Sequence, residues 1–141
     1  MRPQSRLWET LMSAAVMALA TAIAAACFVR AAGLSRQAYA QDLGLGRVQA
    51  AADVLSASGG DLDAVSDFFG AGSVRDGVLR ICLDGGMDVC GGDAGEYVLS
   101  CGPVDFSGGV GTCPVSLSRA DGTEVFSVTA SWQEVPYGHE K

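Results

Sequence analysis

The sequence predicts an α+β fold: a long N-terminal membrane-spanning helix that continues into an amphipathic helix packed on a small antiparallel β-sheet. Three observations predict it. Residues 11–29 are apolar and uncharged, an i, i+3, i+4 stripe follows directly behind them, and after residue 70 the texture changes to short runs of β-formers broken by Gly and Asp. The corresponding organisation is a basic leader or cytoplasmic tail at 1–10, a transmembrane helix at 11–29, an amphipathic continuation at 30–58 and an extracytoplasmic β-rich domain at 59–141.

At about 1.5 Å per residue, the run 11–29 spans roughly 30 Å of hydrocarbon. A cleaved secretory signal would use Arg2 and Arg6 as its basic region and Ala38-Tyr39-Ala40 as its cleavage site. That site lies too far downstream, with Arg30 and Arg36 in between. A lipoprotein would use Cys27, but Ala24 stands where a branched or larger apolar residue is usual. A retained anchor is the favoured reading. Within it Ala14, Ala18, Ala22 and Ala26 recur every four residues, making a small-residue ridge with Leu11, Leu19 and Ile23 pointing away. Such a ridge allows close helix packing, and any alanine-rich span produces the same spacing.

Behind the span, Leu34, Ala38, Gln41, Leu45, Val48, Ala52 and Leu55 recur at steps of four and three, with Arg36, Asp42, Arg47 and Asp53 off the stripe. Gly33, Gly44 and Gly46 each weaken a helix by about 1 kcal/mol relative to Ala, so a bend or break is expected among them. "SASGGD" at 56–61 ends the helix. "DLDAVSDFFG" then reads as a short helix capped by Asp61, with Leu62, Val65 and Phe69 on one side. "GVLRICLD", "EYVLSC", "CPVSLSR" and "EVFSVTASWQEV" read as strands. In the last, Phe126, Val128, Ala130 and Trp132 alternate with Ser127, Thr129 and Ser131, the pattern of a half-buried strand. Asp121-Gly122 supplies a hairpin turn before it.

The net charge is −7, and every acidic residue except Glu9 lies at or after Asp42. An acidic distal part argues against nucleic acid and an anionic membrane surface as its partners. Cys82, Cys90, Cys101 and Cys113 form an even set without the C-x2-C pairs of a zinc site, whereas Cys27 lies in the span. Two disulfides in an oxidising compartment are expected, with all three connectivities open; four thiols in a reducing cell are the alternative. Basic residues flank the span on both sides, Arg2 and Arg6 before it and Arg30, Arg36 and Arg47 after it, so the cysteines and the acidic charge carry the assignment of 59–141 to the outside.

No catalytic constellation is present, and the chain is read as a non-enzyme without a cofactor. His139, the only histidine, lies in the terminal "YGHEK", away from any partner for a triad or a Cys–His pair. Asp84, Asp88, Asp93 and Glu96 in "LDGGMDVCGGDAGE" do not follow the ligand order of an EF-hand, so no metal is expected and the segment reads as a solvated loop.

A short basic leader, a Glu just before an apolar helix, an amphipathic continuation and a C-terminal sheet together resemble type IV pilins and type II secretion pseudopilins, with motif-level similarity confined to "SRLWETLMSAAVMALA". In that family a glutamate at the fifth mature position meets the N-terminal amine of a neighbouring subunit. The resemblance assigns that assembly role to Glu9, and the processing site to Gln4 and Ser5. Members usually carry Gly before the cut and Phe after it, where this chain has Gln4 and Ser5. The resemblance further implies a pilin-like subunit of a type IV pilus, competence or type II secretion system. It would be single-pass in a bacterial cell membrane, partnered by itself or related subunits, a prepilin peptidase and an inner-membrane assembly platform. Read from residues alone, Glu9 also suits a wet interface, three positions after Arg6 and near the positive end of the helix dipole. The alternative function is a stand-alone single-pass or lipoprotein-like envelope protein with a small disulfide-bonded binding domain.

Overall fold

The structure is a computed structural model that describes residues 3–92 and 94–134. Helix α1 runs Pro3–Ser58. Pro3 stands in its first turn, where a missing N–H costs nothing, and no later proline interrupts it. The glycines at 33, 44 and 46 are absorbed without a break. The chain divides into two compact units, 1–39 and 40–141, so the second part of α1 belongs with the sheet.

In the first unit the large apolar side chains point outward all around the helix, Leu11, Met17, Ile23 and Phe28 among them, and Phe28 is 77% exposed. Thr10 Oγ1 donates to the carbonyls of Arg6 and Leu7 at 3.0 and 2.9 Å, and Thr21 Oγ1 donates to Met17 O at 2.8 Å. Polar groups satisfied on their own helix and apolar groups left without protein cover suit hydrocarbon as the surrounding medium. This one helix is long and apolar enough to cross a membrane.

In the second unit α1 buries Gly44, Val48, Ala51 and Leu55. That face is rotated from the expected stripe: Leu45 is 39% exposed and Gln41 is exposed, while Val48 and Leu55 are shared by both. The rotation follows from Gly44. A Cβ there would stand 2.6 Å from Leu117 Cδ2 and 3.4 Å from Met87 Cε, so the bare backbone lets the helix settle onto the sheet. The segment forms one layer of a two-layer core. Gly60 N closes the helix end on Leu55 O at 2.8 Å.

Helix α2, Leu62–Phe69, has Asp61 as N-cap, its side chain accepting from Asp63 N at 3.0 Å, and Gly70 as a left-handed C-cap. Val65 is buried and Leu62 and Phe69 pack beside it, as the sequence predicts. Among the described residues six antiparallel strands follow: β1 Ser73–Arg75, β2 Val78–Leu83, β3 Tyr97–Cys101, β4 Asp105–Ser107, β5 Val110–Arg119 and β6 Glu124–Gln133. β2 pairs with β1 and β3, and β3 pairs with β5. Thr112 of β5 faces both Asp105 of β4 and Ser131 of β6, so β4 and β6 flank β5 on opposite sides.

The three-residue strands β1 and β4 carry too few residues to show a period of two, and they stand outside the four sequence-predicted runs. β1 turns into β2 through Asp76 and Gly77, at φ 53° and 76°, the paired positive values of a primed two-residue hairpin. The β5–β6 hairpin uses a different device. Gly122 N donates to Arg119 O at 2.9 Å, and Gly122 alone takes a positive φ, 89°. Thr123 N donates to Asp121 Oδ1 at 2.8 Å, and that bond holds the exposed Asp121 carboxyl below its ordinary pKa.

Toward α1 the sheet presents Leu79, Ile81, Leu83, Leu99, Cys101, Cys113, Val115 and Leu117, all fully buried. Each fully buried aliphatic side chain contributes about 1.5–3 kcal/mol. The other face is polar, with Ser73, Arg80, Ser100, Ser116 and Ser127 in register as one row across five strands. Gly111 sits in one row between Phe106 and Trp132, whose rings meet edge to face at 6.0 Å. A side chain at Gly111 or at Gly60 would collide with the Trp132 ring.

Candidate functional site

Glu9 lies two turns into α1, beside Trp8 and directly before the uncharged run, and its side chain is exposed. Arg6 is one turn away, which is the spacing of a local ion pair. No such pair forms: the only ion pair among the described residues is Arg47–Asp88, at 3.2 Å. Glu9 therefore enters the apolar segment without a described cation within 4.0 Å. Ala14, Ala18, Ala22 and Ala26 all fall within α1 and are all exposed, as is every described residue of α1 before residue 40. Gln4 and Ser5 belong to the first turn of the same helix.

In the acidic loop after β2 the carboxylates bind the loop's own backbone and α1. Asp84 Oδ1 accepts from Gly86 N at 2.9 Å and from Asp88 N at 3.0 Å, folding the loop around its own carboxylate. Asp88 meets Arg47 of α1, whose Nε also donates to Met87 O at 3.0 Å. Met87 is buried under the helix with φ 62°. The loop thus clamps α1 within the second unit. Sequence reasoning treats this segment as a solvated connection and misses the clamp, because Arg47 and Asp88 are 41 residues apart. Among the described residues no group of three His, Cys, Asp or Glu could hold a metal ion, and Asp93 and His139 lie outside the described residues.

The structure contains no disulfide bond between the five cysteines. The four candidates split into two kinds. Cys82 and Cys90 are half-buried on the polar side of the sheet, whereas Cys101 and Cys113 are fully buried in the core. Burial, with Cys113 as a nearby second thiol, pushes the Cys101 thiol up to about 12; burial likewise raises Cys113. A shallow cleft beside Cys82 is lined by Ser73, Arg75, Arg80 and Val98.

The chain matches no protein-family profile, no curated protein and no solved structure.

Proposed function

We propose that this chain is a pilin-like structural or assembly subunit of a bacterial envelope machine, of the type IV pilus, competence or type II secretion kind. It is inserted through residues 11–29, with residues 59–141 outside the cytoplasm. The observation that carries the reading is Glu9: a carboxylate opening an apolar helix, one turn from Arg6 yet unpaired with it. An ionised carboxylate at the centre of a membrane helix costs about 2.5–3.5 kcal/mol, and less near its edge. A neighbouring subunit that supplies a cation removes that cost, so association is favoured wherever Glu9 enters hydrocarbon. A continuous α1 that spans first and then covers a sheet supports the same reading, since one element serves as both anchor and core.

Mild crosslinking in native membranes tests it. The unaltered chain should give ladders of itself or of related subunits, and Glu9→Ala should reduce them about tenfold or more, the equivalent of about 1.4 kcal/mol. N-terminal sequencing should find Ser5 first if the leader is removed. A stand-alone anchored protein is the second reading, favoured by Gln4 and Ser5 at the expected cut. It predicts a monomer indifferent to Glu9→Ala, and that result would overturn the assembly role.

A further inference from the structure

Cys82 and Cys90 face each other. Leu83 and Val89 form an antiparallel bridge, flanked by Asp84 N donating to Asp88 O at 2.9 Å and Cys90 N donating to Cys82 O at 3.0 Å. Cys82 and Cys90 are therefore the next pair along that ladder. A pair joined by such a bond has Cα atoms about 5.5 Å apart, inside the window of roughly 4.4–6.8 Å that a disulfide accepts. Their side chains converge as well. A Cβ built on Gly95 would stand 3.1 Å from Cys82 Cβ and 3.1 Å from Cys90 Sγ, so both lie against the same point of backbone. Both line one open cleft with Ala71, Arg80 and Gly91, so an external reagent reaches them.

Cys101 and Cys113 are placed differently. Cys101 faces Val115, and Cys113 faces Ala130. The two thiols are thus diagonal neighbours on β3 and β5, a relation that sets Cα atoms about 7–8 Å apart. A disulfide across more than about 7 Å requires the backbone to move, and here Gly102 N is tied to Pro114 O at 2.9 Å. Both thiols are fully buried, and the thiolate that exchange requires is scarce at Cys101, whose pKa is pushed up to about 12.

We propose that Cys82 and Cys90 are a disulfide-forming pair and the chain's single intramolecular disulfide, made by exchange with an external disulfide of the glutathione or protein dithiol-oxidase class, while Cys101 and Cys113 remain core thiols. One protein thiolate attacks the external disulfide and releases one reduced thiol. The second protein thiolate then displaces the other external sulfur. The two cysteines lose two protons and two electrons, and the external disulfide gains them as two thiols. The bond closes the loop whose tip carries Met87 and Asp88, the two residues that hold Arg47 of α1. Formation in cells rests on the proposed placement of this domain outside the cytoplasm; the pairing itself does not.

The test uses the full chain, reduced in detergent, equilibrated with mixtures of reduced and oxidised glutathione, alkylated, unfolded and cut before aspartate. Each of the four cysteines then falls in its own fragment: 76–83, 88–92, 93–104 and 105–120. Fragments 76–83 and 88–92 should be recovered joined, with the other two alkylated. Cys82→Ser should abolish the joined species without creating another. Joining that involves 93–104 or 105–120, or four alkylated fragments at every glutathione ratio, would overturn the proposal. The same mapping on chain alkylated inside cells separates the two readings. A link that forms with glutathione but is missing from cells upholds the pairing and counts against an extracytoplasmic domain.

Discussion

Two residues in α1 act through what they lack. Glu9 has no described cation within 4.0 Å, and Gly44 lacks a side chain. At Gly44 two effects oppose each other: alanine improves helix propensity by about 1 kcal/mol, while filling a packed contact costs about 1–3 kcal/mol. The Leu117 methyl that would have to move is fully buried, so the second effect wins. Gly46, on the solvent side with nothing within 4 Å of a built Cβ, feels only the first. Gly44→Ala should therefore lower the melting temperature of the sheet domain in detergent, and Gly46→Ala should raise it by about 4–8 °C. Equal shifts of the same sign would show that Gly44 is not a contact residue. Sequence periodicity places Val48 and Leu55 inward correctly. It misplaces Leu45 because a pattern of apolar residues has no way to count a glycine as the centre of a buried face.

Among the elements, the first part of α1 is where the proposed association is placed. Its ridge of Ala14, Ala18, Ala22 and Ala26 is exposed along its whole length. Close approach of a second helix on that ridge relies on small side chains, because lipid offers no hydrophobic drive between helices. Ala18→Leu with Ala22→Leu should weaken self-association in a membrane two-hybrid assay, and unchanged association would remove the ridge from the interface. The β5–β6 hairpin shows how far turn chemistry is legible. Asp-Gly occurs at 76–77 and at 121–122, and both pairs make hairpins, yet only the first uses positive φ at both residues. The second is a wider turn in which the Asp121 carboxylate captures Thr123 N. The dipeptide announces a turn, and the length of the loop around it selects the type.

For the whole chain, stability is coupled to pH through a thiol in the sheet core. In the folded chain Cys101 keeps its proton up to about 12, whereas an ordinary thiol releases it near 9.0. Between those values the folded state binds more protons than the unfolded state, so its stability is complete below about pH 9 and falls as pH rises toward 12. Thermal unfolding of the reduced chain in detergent should show this alkaline decline, and Cys101→Ala should make it shallower, with Cys113, also raised by burial, carrying the remainder. An unchanged slope in that variant would mean that the thiol is not titrating from the core.

The sequence by itself determined the one-dimensional features: the apolar span, the stop at 56–61, the Asp61 cap, four of the strands and the position of Glu9 at the head of the helix. Each rests on composition or on a period of two or 3.6 residues, which neighbours along the chain express without help. Only the tertiary structure decided that α1 presents Gly44 to Leu117, that Arg47 closes on Met87 and Asp88, and that Cys82 faces Cys90 while Cys101 and Cys113 lie diagonally in the core. Those relations depend on strand register and on the rotation of a helix over a sheet. Both are settled by packing between segments many residues apart, to which local patterning is blind.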